Sequence, residues 1–234
     1  MIGLMRFAFK DYVRSYRYVA PMICYALVLG FIYGVAPNPV MPSYSLTASF
    51  MFVVSVWLAF GYVDAERETQ QIVGVLHAGN LYKYYLGRAL PLVLIVAALS
   101  LATTVYPILL ARFDRQPGAG EMLAAYVAHL GLSLLGMALS YLFTNKLVRK
   151  LSEAVIGLIL VVAVSLAGGG IREALPDSVR FLASLLPPVF PLIDALNEYH
   201  DFRPMDKAIV LLAPYGYSAV LFCIFLRLMG KRKF

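Results

Sequence analysis

The chain has 234 residues, of which 61% are hydrophobic and only 14% charged, with a mean hydropathy of +0.77. A water-soluble domain needs a charged surface, so this composition excludes one and points to a bilayer. The net charge of +7, from 20 Lys+Arg against 13 Asp+Glu, becomes a question of placement along the chain, and no nucleic-acid partner is expected.

A membrane span takes about 20 apolar residues, so the length leaves room for roughly six spans and no appended soluble domain. Residues 1–17 come first. Ile2, Met5, Phe9, Tyr12, Val13 and Tyr16 share an arc of about 100°, and Arg6, Lys10, Arg14 and Arg17 share a neighbouring one. This pattern predicts an interfacial amphipathic helix whose basic side chains reach anionic headgroups, making membrane lipid an expected partner. A plain basic anchor that sets topology is the alternative.

From Tyr18 to Val63 there is no Asp, Glu, Lys or Arg. The segment Pro37-Asn38-Pro39-Val40-Met41-Pro42-Ser43 divides that run into spans at about 19–36 and 46–63 joined by a stiff turn. The first run is longer than the usual apolar core of a signal peptide and reads as a retained anchor. Further spans are expected at about 89–111, 122–144, 154–171 and 208–227. Cys24 and Cys223 lie inside apolar runs, where a thiol behaves as a small hydrophobe, and they suggest neither a disulfide framework nor a metal site.

Alternating the loops places Arg6, Lys10, Arg14, Arg17, Arg67, Lys83, Arg88, Lys146, Arg149, Lys150, Arg227, Lys231, Arg232 and Lys233 on one face, 14 of the 20 cations. Arg112, Arg115, Arg172, Arg180, Arg203 and Lys207 fall on the other. The positive-inside rule then predicts that both termini are cytoplasmic. Nine of the 13 prolines fall in the outer loops and none in the inner ones, so inner connections can continue as helix. Pro21 and Pro91 are expected near helix starts, where a missing N–H costs little, and Pro214 well inside the last span, as a packing kink.

The inner loop 64–88 carries the most information. Its first half, Glu66-Arg67-Glu68 through Ile72, Val75, Leu76 and His77, predicts a helical extension of the second span. Gly79 can end that extension, and Asn80 can cap a short separate helix running to Gly87. Such a helix would present Leu81, Tyr82, Lys83, Tyr84 and Tyr85 as a docking surface, with Arg88 behind it, since tyrosine joins a large apolar body to a polar tip. Tyrosines beside a lysine can equally be aromatic-belt residues.

The six spans, the amphipathic lead-in, the acidic-start loop Glu66-Arg67-Glu68 leading to Asn80-Leu81-Tyr82-Lys83-Tyr84-Tyr85-Leu86-Gly87-Arg88, and the long outer segment before the last span together resemble the permease subunit of type-2 ABC exporters. The likeness covers nearly the whole chain as architecture and about 25 residues as motif. It implies that Asn80–Gly87 is a coupling helix seated in a separate ATPase, with Glu66, Arg67, Glu68, His77 and Arg88 flanking that contact. It further implies a dimer of ABC ATPase subunits as partner, a second permease, identical or related, and an amphipathic substrate such as an antimicrobial peptide, drug or lipid. The location implied is a cell membrane, of bacterial type.

The inner loop with Lys146, Arg149 and Lys150 can be a second ATPase contact or simply a positive anchor, and the anchor is preferred. In the outer segment 172–207, Leu175, Val179, Leu182 and Leu186 recur with amphipathic spacing. Pro187 and Pro188 stop that helix, and a second short one begins at Pro191. With Pro214 these prolines are candidates for a gate or a re-entrant hairpin; an interfacial lid is the competing reading. Gly168-Gly169-Gly170 reads as a flexible span end. His129 is expected to be a hydrogen-bonded packing residue, and Glu121 to lie near enough to the interface to be solvated.

No Gly-x-x-x-x-Gly-Lys-Ser/Thr phosphate loop, His-Glu-x-x-His motif or Gly-x-Ser-x-Gly elbow occurs. The chain is therefore expected not to be an enzyme and to carry no cofactor, with ATP and Mg bound by the partner. The sequence thus predicts an all-α polytopic membrane protein with six transmembrane helices in one transmembrane domain. A non-transporting scaffold or sensor that recruits a cytoplasmic partner through the same loop is the second reading. An ion-coupled carrier would need intramembrane acidic pairs that the spans lack.

Overall fold

Ten α-helices and one 3-10 helix are found in a computed structural model that describes residues 2–66, 68–144, 146–148 and 150–231, with the side chains of 68, 180 and 182–184 outside that description. They are α1 (Ile2–Ser15), α2 (Val19–Ile32), α3 (Val40–Val63), α4 (Glu68–Ala78), α5 (Leu81–Leu109), α6 (Ala119–Leu142), α7 (Leu151–Leu166), α8 (Gly168–Ala174), the 3-10 helix Asp177–Leu185, α9 (Val189–Asn197) and α10 (Pro204–Lys231). No strand occurs among the described residues; one isolated parallel bridge joins Asn38 to Phe113.

Among the described residues, four helices are long and apolar enough to cross a bilayer: α3, α5, α6 and α10. The number rises to six if α1 with α2, bent by 75°, and α7 with α8, bent by 68°, each count as one span. The helices found at the expected first and fifth spans, α2 and α7, have 14 and 16 residues. The 14 residues of α2 cover about 21 Å at 1.5 Å per residue, against about 30 Å of hydrocarbon. The bend between α1 and α2 is made where Tyr16 adopts a left-handed φ of 54°. α3 begins at Val40, earlier than expected, because Pro42 lies in its first turn, where a missing N–H is tolerated.

Apolar helices gain little from one another's greasiness when lipid is the alternative, so close backbone approach and interhelical hydrogen bonds hold a bundle together. The α3–α6 seam shows both. A Cβ on Gly136 would lie 2.8 Å from the Phe52 carbonyl oxygen, and Ser140 Oγ donates to the Val56 carbonyl at 2.8 Å. On the other side of α6, Gly131 gives room to the Tyr215 ring of α10, whose hydroxyl donates to the Val127 carbonyl at 2.8 Å. Buried His129 has its Nδ1 2.7 Å from the Ala125 carbonyl and its Nε2 2.9 Å from Thr47 Oγ1. This agrees with the packing role expected of it. Tyrosine hydroxyls add cross-links from Tyr44 to the Thr104 carbonyl and from Tyr25 to Thr103.

Several local expectations change. Pro91 lies well inside α5 rather than near a helix start, since that helix already begins at Leu81. α10 runs unbroken through buried Pro214. Gly169 is a packing residue, with the Phe190 ring where its Cβ would be, so the glycine run is a seat for α9 rather than a loose span end. In the outer segment the Pro187-Pro188 break is present and Pro188 caps α9, but the stretch from Asp177 folds as a 3-10 helix and α9 begins at Val189, ahead of Pro191.

If the α3–α6 seam depends on backbone proximity, Gly136→Leu must push the helices apart. It is expected to cost about 1–3 kcal/mol, read as a lower melting temperature in detergent. Gly216→Ala, where nothing lies within 4 Å of the added methyl, is the control and should leave the melting temperature unchanged or raise it.

Candidate functional site

α1, the end of α10 and the described residues of the 64–88 segment meet at one pole of the bundle. α1 packs along the start of α5, with Leu4 against Gly87, and the end of α10 reaches Tyr82 at Gly230. Tyr12 on α1 donates to the Leu58 carbonyl of α3 at 3.1 Å. Of the six residues of the apolar arc of α1, Tyr12 is buried, beside Ala8 from outside the arc, and Met5 is half-buried, while Ile2, Phe9, Val13 and Tyr16 remain exposed.

At this pole α3 stops at Val63, and the turn that follows points Glu66 inward. Its carboxylate is a hub: Oε1 accepts from Arg88 Nη1 at 2.7 Å and from the Tyr84 hydroxyl, and Oε2 accepts from Lys146 Nζ at 2.7 Å. All four side chains are buried. The Arg88 guanidinium also lies over the Tyr62 ring, 5.4 Å from its centroid, while the Tyr62 hydroxyl donates to the Arg88 carbonyl at 2.6 Å. Burial draws the Lys146 ammonium below the ordinary lysine range, although Glu66 opposes the shift. One carboxylate therefore ties the α3–α4 turn, α5 and the α6–α7 connection together.

The elbow after α4 forms as local chemistry requires. Gly79 takes a φ of +66°, a conformation that glycine adopts without strain, and Asn80 caps α5 by accepting from the Tyr82 N–H at 2.7 Å. The expected separate helix ending at Gly87 is not found, because α5 continues through Gly87 and Arg88 to Leu109. Nor are Tyr84 and Tyr85 presented for docking. Both are buried: Tyr84 bonds Glu66, and Tyr85 accepts from Gln71 Nε2 at 2.5 Å. Glu66 and Arg88 are likewise interior, and Lys146, expected as a loop anchor, joins them. Arg67 lies outside the described residues, and so does the side chain of Glu68, which starts α4.

What remains at the surface is His77, Asn80, Tyr82 and Lys83, with Leu81 half-buried. His77 and Lys83 line a groove of about 970 Å³ between α1 and α4. Its walls include Leu4 and Phe7 from α1 and Thr69, Gln70 and Val73 from α4. Beside it, Leu76 and Ile72 are exposed apolar residues on α4. On α1, Gly3, Phe7, Lys10 and Arg14 follow one another at i, i+4, i+7 and i+11, so the wall of the groove continues into exposed cations. Charge and apolar surface therefore share one concave face.

At the opposite pole Glu121 is buried rather than solvated. It accepts from Arg115 at 2.8 and 2.5 Å and from the Gly118 N–H at 2.8 Å, and His200 Nε2 lies 3.2 Å from it. Pro187 is buried, Pro188 half-buried and Pro191 exposed around the break before α9. No group of three metal-ligating side chains occurs among the described residues.

Removing one partner of a buried ion pair costs about 3–5 kcal/mol because the charges left behind are uncompensated. Glu66→Gln should therefore destabilise strongly, leaving buried Arg88 without its counter-charge and Lys146 with only the weaker influence of Asp64. Lys146→Met should cost less, because Arg88 and Glu66 remain a neutral pair. Chemical unfolding of the two variants in detergent checks the ranking.

The chain matches no family model, no curated protein and no solved structure.

Proposed function

We propose that the chain is the permease subunit of a type-2 ABC exporter, with both termini in the cytoplasm, and that the groove between α1 and α4 receives its ATPase. The observation that carries this reading is the joining of two features at one pole: an exposed apolar and cationic groove, and a buried three-way tie to the spans. Phe7, Val73 and Leu76 offer apolar anchors, while Lys10, Arg14, His77 and Lys83 favour a partner with an acidic face. A push on the α4–α5 elbow is carried through Glu66 to α5 and to the α6–α7 connection, so binding at the groove acts on several spans at once.

In this reading ATP and Mg belong to a pair of ATPase subunits. A second permease, identical or related, completes the pathway, and the substrate is amphipathic: a peptide, a drug or a lipid. The excess of Lys and Arg in the loops of the α4 pole supports a cytoplasmic position for it, and the segment from α8 to α9 is then the outer cap. The coupling surface differs from the one the tyrosine cluster suggests, because the elbow tip and groove are exposed whereas Tyr84 and Tyr85 belong to the core.

Deleting residues 81–85 would unfold this pole, so surface substitutions are the sharper test. Leu76→Asp combined with Lys83→Glu is expected to abolish copurification of the ATPase in mild detergent while leaving the melting temperature of the permease within a few degrees. Retention of the ATPase by that variant sinks the docking assignment. Copurification of a partner without nucleotide-dependent activity would favour the scaffold reading instead.

A further inference from the structure

At the pole opposite the groove, α8, the 3-10 helix, α9 and α10 enclose a cavity of about 530 Å³. Phe181, Leu186, Phe190, Ile209 and Val210 make its walls apolar, and Arg172 is the one charged residue among the described residues lining it. Glycines at 168 and 169 let Phe190 seat as the rear wall. Phe181, Leu185 and Ile209 are exposed around it, so the apolar lining is continuous with the outer surface of the bundle. Arg172 itself is exposed and makes no ion pair among the described residues.

We propose that this cavity holds an anionic amphiphile, with an acyl chain against the phenylalanines and a phosphate or carboxylate head on Arg172. The volume is that of a small-ligand site, and a mostly apolar lining with one fixed polar group is the composition such sites show. An arginine at the rim of an apolar slot favours an anion because its planar fork matches phosphate and carboxylate oxygens. Its stem can lie along the apolar wall while the head stays at the level of lipid headgroups. In a bilayer the occupant reaches the slot sideways, past Ile209 and Phe181, without crossing the bundle. The inference rests on the membrane reading of the apolar helices and is independent of the ATPase reading.

The test uses the full chain in nanodiscs doped with one of three diazirine-bearing probes: phosphatidylglycerol, palmitic acid or phosphatidylcholine. After irradiation the labelled peptides are mapped by mass spectrometry. Adducts of an anionic probe are expected on 181–191 and 209–213. Arg172→Gln is expected to reduce them by about fivefold or more, the loss of a charge-assisted contact, and to leave phosphatidylcholine labelling unchanged. Because Arg172 is exposed, the variant should keep its melting temperature, and Ala213→Phe, which fills the slot, should suppress labelling by all three probes. Labelling by phosphatidylglycerol identifies a phospholipid occupant, and labelling by palmitate alone a free acid. Equal labelling by anionic and zwitterionic probes with no effect of Arg172→Gln, or labelling only elsewhere, overturns the proposal.

Discussion

The carboxylate of Glu66 organises one end of this molecule. Two cations and a phenol converge on it from chain segments that are 22, 80 and 18 residues away. Such a hub adds little net stability compared with an apolar plug of the same size, because every charge in it must first be stripped of water. Its value is directional. An apolar contact tolerates sliding, whereas a carboxylate with both oxygens occupied fixes the relative positions of three segments. The exposed surface nearby, from Phe7 across to Lys83, is therefore mounted on a rigid base, although α4 is a short helix with few buried side chains of its own.

Away from that hub the helices are joined by small residues and hydroxyl groups. α6 is the centre of the arrangement, with Gly136 and Ser140 toward α3 and Gly131 toward α10. Between helices as apolar as these, shape and hydrogen bonding rather than greasiness distinguish a neighbouring helix from lipid. α7 is the contrast. It buries Ala154, Leu158 and Ser165 and leaves Ile156, Ile159 and Leu160 exposed, so it borders the bundle rather than building it.

The legible features of the sequence were the local ones. The positive φ of Gly79, the Asn80 cap and the Pro187-Pro188 break each depend on a few adjacent residues, and charge-free runs mark four long apolar helices. The reading of Gly87 as a helix end failed because a glycine stops a helix only when nothing rewards continuing it. Here Leu4 packs where its side chain would be, so the residue is small for contact rather than for a turn. The tyrosines were misplaced for a related reason. The buried positions Leu92, Val96 and Ser100 of α5, continued backwards in steps of four, arrive at Arg88 and Tyr84, and that phase marks both as interior. Nothing local could pair Glu66 with Lys146, because their meeting depends on how α6 returns to the pole where α3 ends. The groove was illegible for the same reason, being formed by α1 and α4 across more than 60 residues of chain.

The bridge between Asn38 and Phe113 bears on how the chain is assembled. The Asn38 N–H donates to the Arg112 carbonyl at 2.9 Å, and its carbonyl accepts from the Asp114 N–H at 2.9 Å, so two loops are stitched through backbone atoms that any substitution short of proline preserves. Residue 114 precedes α6 in the chain. Both sides of the stitch lie ahead of α6, so its formation needs none of the residues from α6 to α10. The stitch fixes the turn before α3 to the turn before α6, so α6, the helix carrying the glycines, packs against α3 from an end that is already held in place.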